Sequence, residues 1–386
     1  MRALILAGLT LALAAPASAQ SLYGSRGVGL PVPSGDARTA ALGGLGIGLF
    51  GPHPTFLNPA DAWGTRRRGA IVALQPSSTT IDAGNGTDAV SATRFPALQV
   101  YLPFGSRTVF TGGFGAFMDQ NWAVQTRSQI VLGTDTATVV DRLESRGGIS
   151  QLRVGASYAL GPRVAIGVAG GLLTGSRTRT QQRRFISEDV PLNVVREETE
   201  LSYAAPLAAI GAVWDPLEIL RLSAGVTWFG EMDRSDDDED APDAADLSMP
   251  LQVAMGASGM LAPDLLAHLA GRWMGWSSAA DDLGETAEDS WELGGGLEYT
   301  GLRSTRRVYP VRLGARRAAL PFGFGGETPS EWSVSGGVGA RLAGTDESPG
   351  ALIDLAVERG TRGDVDETGL RETFWRTTVS ISLFGL

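Results

Sequence analysis

From Arg68 to the end of the chain, apolar and polar residues alternate with a period of two in segments of about ten residues. That spacing is a β-strand with two chemically different faces. Within 151–160, Leu152, Val154, Ala156, Tyr158 and Leu160 share one face, and Gln151, Arg153, Gly155 and Ser157 the other. In 220–228, Leu220, Leu222, Ala224, Val226 and Trp228 oppose Arg221, Ser223, Gly225 and Thr227. In 331–342, Trp332, Val334, Val338 and Leu342 oppose Glu331, Ser333, Ser335 and Arg341. The final segment sets Trp375, Thr377, Val379, Ile381 and Leu383 against Arg376, Thr378, Ser380 and Ser382. Two folds satisfy this pattern: a soluble sandwich with the apolar face inward, and a transmembrane barrel with it outward.

Connection lengths decide for the barrel. About fourteen strands are read, with 12 and 16 as the neighbouring even counts, each near the ~9–11 residues that cross a bilayer at a tilt. Short connections fall at 103–107, 161–163, 215–218, 262–264, 301–307 and 344–350. Long ones fall at 75–93, 119–147, 230–246, 277–290, 320–330 and 360–371. The segment 121–132 also alternates and is placed within the second long connection, and the turn 189–194 is read as capping two overlong strands. Short periplasmic turns opposite long outer loops are the asymmetry of outer-membrane barrels. With the long loops outside, Trp228, Trp276, Trp291, Trp332 and Trp375 form an outer aromatic belt, and Tyr101, Tyr158, Trp214, Tyr299 and Phe384 an inner one.

The remaining composition fits an exported barrel. Arg2, the apolar run from Ala3 to Ala15 and the Ala17-Ser18-Ala19 cleavage pattern form a secretory leader over 1–19. Beyond it no uncharged apolar run reaches the ~18 residues of a spanning helix. Cysteine is absent, so disulfides do not hold the exported chain together. The net charge of −10, with every basic side chain an Arg, argues against nucleic acid as a partner.

Residues 20–68 do not alternate. They are Gly-rich and weakly apolar, too short to fold alone, and are read as a segment filling the lumen of a barrel that occupies 69–386. Here the chain resembles a known family. The run Ala37-Arg38-Thr39-Ala40-Ala41-Leu42-Gly43-Gly44, followed by Asn58-Pro59-Ala60, is similar to the N-terminal hatch of the FadL family of outer-membrane transporters. Tyr309 to Gly314, Asp354 to Gly360 and the last strand from Glu372 resemble the end of that family's divergent branch. The resemblance implies a plugged fourteen-stranded barrel that takes up long-chain fatty acids or other hydrophobic small molecules, as a monomer and without a cofactor. It implies exit sideways through a kinked strand. Its hatch residues map onto Arg38, Gly43, Gly44, Asn58, Pro59 and Ala60. Partners expected are the hydrophobic ligand, detergent or lipid in its place, outer-membrane lipid, and the barrel-assembly machinery for insertion.

On the inward faces lie Arg153, Arg221, Arg272, Arg312, Arg316, Arg341 and Arg376, with Glu292, Glu298, Asp354 and Glu358. A buried Arg can grip a carboxylate headgroup, but an uncompensated buried charge is costly, so most of these should pair with one another or with the hatch. Arg153, Arg272 and Arg376 are the ligand-contact candidates. Asp236, Asp238 and Asp240 have the first spacings of a calcium loop, but Ala241 and Leu247 stand where Gly and Glu are needed, so no metal site is expected. Gly46, Gly48 and Gly51 match a dinucleotide fingerprint without its flanking strand and helix. Only His53 and His268 exist, and no catalytic constellation assembles around them; pairing of His268 with a strand serine is the one enzymatic option. Two further readings stand beside uptake: a polar-solute porin, and a structural or secretion-associated barrel that binds a protein partner.

Overall fold

The computed structural model describes residues 21–385 apart from 52, 54, 85, 133–134, 187–193, 237–243, 305–306 and 345–348. The leader at 1–19 and most of the acidic run 236–240 lie outside the described residues.

Fourteen antiparallel strands close into a ring. They are β1 (Gly69–Asp82), β2 (Thr87–Arg94, resuming as Ala97–Phe104), β3 (Thr108–Asp119, continuing as Trp122–Leu132), β4 (Asp135–Ala159), β5 (Val164–Ile186) and β6 (Val195–Leu217). Next come β7 (Leu220–Phe229, continuing as Met232–Asp236), β8 (Ala244–Leu247 and Gln252–Ala262), β9 (Leu265–Met274) and β10 (Ser290–Tyr299). The last are β11 (Val311–Ala319), β12 (Ser330–Gly344), β13 (Pro349–Arg362) and β14 (Arg371–Phe384). Closure is by β14 against β1, from Gly69 opposite Phe384 to Asp82 opposite Arg371.

The alternation sets which face is which. Leu152, Val154, Tyr158, Met255, Leu269, Leu293, Leu313, Val338 and Leu355 are exposed on the outside, while Gln151, Arg153, Ser258, His268, Glu298 and Arg312 are buried within. An apolar band of this extent needs hydrocarbon rather than water around it. No helix among the described residues is long and apolar enough to cross a membrane. The strands make the crossing, since a closed ladder leaves no backbone group unpaired in lipid.

Three long connections differ from their expectation. The 75–93 connection is strand, reaching Asp82 and resuming at Thr87, so the loop is only 83–86. The 119–147 connection is a hairpin: 121–132 is not loop but the upper part of β3, with Trp122 opposite Ser145 and Leu132 opposite Asp135. The 230–246 connection extends β7 and β8 by paired residues. The first and third share a cause, whereas 121–132 keeps its alternation and was misplaced only by its position in a long connection. Above the membrane a strand has no apolar face to show, so its alternation fades while its ladder continues. β4, β5 and β6 run 25, 23 and 23 residues, roughly twice what a crossing needs.

One aromatic of the outer belt and two of the inner one depart from their assignment. Trp228, Trp291, Trp332 and Trp375 point outward at the long-loop end, and Tyr158, Trp214 and Tyr299 at the other. Trp276 does not: it starts a helical turn in the 275–289 loop and packs edge-on against Phe322, fully buried. Tyr101 and Phe384 face inward and meet each other at 6.1 Å. Tyr101 sits one residue from Val100 and Leu102, so alternation itself turns it inside.

Candidate functional site: the lumen and its seam

Residues 21–68 thread the lumen from the long-loop end to the start of β1. Ser21 Oγ and Leu22 N donate to the Glu372 carboxylate, and Tyr23 OH donates to Leu370 O. Burial pushes the Tyr23 phenol up to about 12, so it stays a donor at any physiological pH. A short helix, α1 (Ala37–Ala41), lies deeper, capped by Asp36, whose Oδ1 accepts from Thr39 N at 2.8 Å. A 3₁₀ turn, Pro59–Ala62, follows, with Pro at its first position.

The motif residues are the docking points. Arg38 makes a bidentate pair with Glu298 (2.9 and 2.8 Å) and donates its third nitrogen to Phe50 O. Asn58 is fully buried; its Oδ1 accepts from Ala60 N, and its Nδ2 donates to Ala212 O and Ser223 Oγ at 3.0 and 2.7 Å. One side chain thus both shapes the turn at Pro59 and ties it to the wall. Asp61 accepts from Ser223 Oγ and Gly48 N. Gly43, at φ +92, and Gly44, at φ +85, follow α1. A Cβ on Gly43 would stand 2.4 Å from Gly295 N, and one on Gly256 of the wall 2.0 Å from Ile47 O. Backbone therefore lies on backbone at both places, which only glycine permits. Gly46 packs against His53 and Thr39 and Gly48 against Ser223, whereas Gly51 has space around it and is a glycine for its φ of +93.

The inward charges pair. Arg272, Arg316, Arg362 and Arg376 interleave with Glu292, Glu331, Glu358 and Glu372: Arg272–Glu292 at 2.6 Å, Arg316–Glu292 and Arg316–Glu358 at 3.1 Å, Arg376–Glu358 at 3.3 Å and Arg362–Glu372 at 2.7 Å. Glu331 joins Arg316, Arg362 and Arg376 at their centre. Four guanidiniums meet four carboxylates, so the cluster is neutral. Beside it Arg38 and Arg312 meet Glu298 and Asp354, again two against two. Arg221 pairs with Asp215 at 2.8 Å. Of the ligand-contact candidates, Arg272 and Arg376 are members of the cluster, and Arg376 also stacks on Phe374 at 3.9 Å. Arg153 differs: its Nη1 donates to Phe56 O at 2.6 Å and Thr227 Oγ1 at 3.3 Å, and its buried Nε has no acceptor. It borders a cavity of about 30 Å³ with Phe56, Asn58, Pro59 and Gln99. Three further lumen cavities among the described residues are about 10–20 Å³, each with room for a water.

Glu331, Arg362 and Glu372 were not singled out in the sequence. Glu331 stands on the polar face of its segment, which was its signal; Arg362 falls within the 360–371 connection read as loop, and Glu372 was read only as the start of the last strand. His268 does bond a strand serine: Ser258 Oγ lies 2.9 Å from Nδ1, and Nε2 lies 2.7 Å from Leu45 O. Both residues are buried, at 1% and 4% exposure, beneath Leu45, so the pair pins the N-terminal segment to the wall.

The wall carries one seam. The lower half of β2 (Ala97–Phe104) pairs with β1 and β3, but the upper half (Thr87–Arg94) pairs with β1 alone. The break is at Phe95-Pro96, where the missing amide of proline interrupts the ladder. The freed edge of β3 takes the N-terminal segment instead: Leu30 pairs with Asp119 and Pro31 with Met118, Val32 N donates to Phe117 O at 3.0 Å, and Ser34 Oγ bonds Ala116 O. Arg94 and Asp119 face each other across the seam at 3.8 Å.

Among solved structures the chain is similar to a FadL homologue of Pseudomonas aeruginosa (16% identity, 92% of this chain and 98% of that one, TM-score 0.61). It is similar to the toluene transporter TodX of P. putida (13%, 91% and 98%, 0.58). It is also similar to the CymD monoaromatic hydrocarbon channel (14%, 92% and 98%, 0.55). At these identities the likeness is one of fold: the barrel is FadL-like. No curated protein matches the sequence. The family model BamG matches residues 1–216, more than half of the 386-residue chain. A FadL-like barrel fold and that match together place the chain in the BamG family.

Proposed function

We propose that the protein is an outer-membrane channel for hydrophobic small molecules, long-chain fatty acids among them, that rests closed. In this reading the leader at 1–19 directs export, and 20–68 is the hatch. One observation carries it: the wall is unpaired at a seam in the β2–β3 ladder, and the N-terminal segment pairs with the freed edge there. A hatch that withdraws Leu30–Pro31 opens a sideways path from the lumen to hydrocarbon. Water-sized cavities leave no room for a ligand at rest, so hatch movement must precede uptake. That movement also frees Arg153, and the faces of Arg272 and Arg376, toward the ligand. A polar-solute porin needs a standing aqueous lumen, which these packed charges and the threaded segment do not provide. Two of the similar structures, a toluene transporter and a monoaromatic hydrocarbon channel, support the hydrophobic class. A second reading, a barrel that binds a protein partner such as the assembly machinery, is favoured by the filled lumen and the family match.

The test uses the absence of native cysteine. Pro31→Cys with Met118→Cys joins two paired positions. Oxidation should stop oleate uptake into vesicles carrying the mature protein, and reductant should restore it. Uptake that persists through complete cross-linking contradicts the seam route. No uptake in either state favours the partner-binding barrel.

A further inference from the structure

The outward face of the barrel is interrupted by charge at two neighbouring places. On β10 to β13 the outward positions are Trp291, Leu293, Leu297, Leu313, Trp332, Val334, Val338, Leu355 and Val357, and among them stand Arg317 and Arg359, both exposed. Arg317 is directly across from Leu293 on one side and Trp332 on the other. Arg359 is across from Val334 and Trp375, two strands further round and two residues deeper. Strand spacing puts the two Cα atoms on the order of 10–12 Å apart, so both guanidiniums reach one group between them. Neither has a carboxylate partner among the described residues; Arg359 lies over the Trp375 ring at 5.2 Å. Both sit two or three residues from the long-loop ends of their strands. That is the level of the Trp belt, where the outer leaflet carries its headgroups.

Beside Arg317 the wall is hollow. A groove of about 900 Å³ opens on the outward face of β6 to β10, floored by Ala212, Ala224 and Gly271 and walled by Met255, Leu269 and Leu293. Its floor includes Gly256, the wall residue against which Ile47 lies from inside. Leu293, opposite Arg317, belongs to its rim. A pair of unpartnered arginines at headgroup depth, next to an apolar trough of this size, is complementary to a lipid with a phosphate headgroup and more than one acyl chain. Arg binds phosphate through a fork of N–H donors, and the Trp rings flank the charge.

We propose that Arg317 and Arg359 bind the phosphate of an outer-leaflet lipid whose acyl chains lie in the β6–β10 groove. The site is independent of the hatch and its seam.

The test is native mass spectrometry of the full mature protein, loaded in detergent with diphosphoryl lipid A or with a phosphatidylcholine. Lipid A should survive on the protein at least tenfold better than phosphatidylcholine. Arg317→Leu with Arg359→Leu should remove that preference, Arg→Lys at both should keep part of it, and Ala224→Phe should lower retention by filling the groove. All three variants keep the outward band apolar or unchanged in charge, and heat-dependent migration on gels reports that each barrel is folded. Equal retention of the two lipids, or a preference untouched by the Leu pair, overturns the proposal. So does a protein partner whose cross-links fall in the groove of a lipid-free barrel.

Discussion

Asp61 ties the lower part of the N-terminal segment to the wall, and its ionisation should loosen that part. It is fully buried between Ser223 Oγ and Gly48 N, and burial pushes it up to about 7, against the pull of those two donors and of Arg221. The folded value lies above the unfolded one, so this group's contribution is greatest below pH ~4 and is lost as pH rises through about 7. Amides of 47–61, corrected for intrinsic rates, should therefore exchange more slowly at pH 5.5 than at pH 8.5, and Asp61→Asn should flatten the difference. The luminal arginines give a contrasting pair. Arg376→Met leaves Glu331 and Glu358 short of a cation and should cost roughly 3 kcal/mol or more in urea unfolding. Arg153→Met removes a cation with no carboxylate beside it and should cost far less; equal losses would show that Arg153 is paired as the others are.

Strands were legible wherever they cross lipid, because there the outward face must be apolar at every second residue. Val154 and Val338 read correctly for that reason. Above the membrane both faces are polar, and Arg177 to Gln182 of β5 carry no alternation that separates strand from loop. The inward arginines and glutamates were legible by parity, but their pairing was not. Arg316 and Glu358 are 42 residues apart in sequence and meet only through the register of β11 with β12 and β12 with β13. The seam lay in plain view as Phe95-Pro96, yet proline marks a break without saying what covers it. Gly256→Val tests how the segment is seated at the level of these elements. Its side chain would collide with Ile47 O, so the barrel should fold and the 45–50 region should become sensitive to protease added at the lumen. Unchanged protection would mean the wall can yield there.

At the scale of the molecule, a ring of fourteen strands closes by β14 against β1 and carries the N-terminal segment on its inward face. The segment supplies a strand to the seam, and Arg38 and Asp61 bind Glu298 and Ser223 of the wall. Single-channel conductance of the mature protein in a planar bilayer, beside a variant lacking 21–60, tests this most directly. The account predicts a silent intact protein and large, steady openings from the truncated one. Large steady conductance from both would contradict it, and would make the lumen an aqueous pore that the N-terminal segment does not fill.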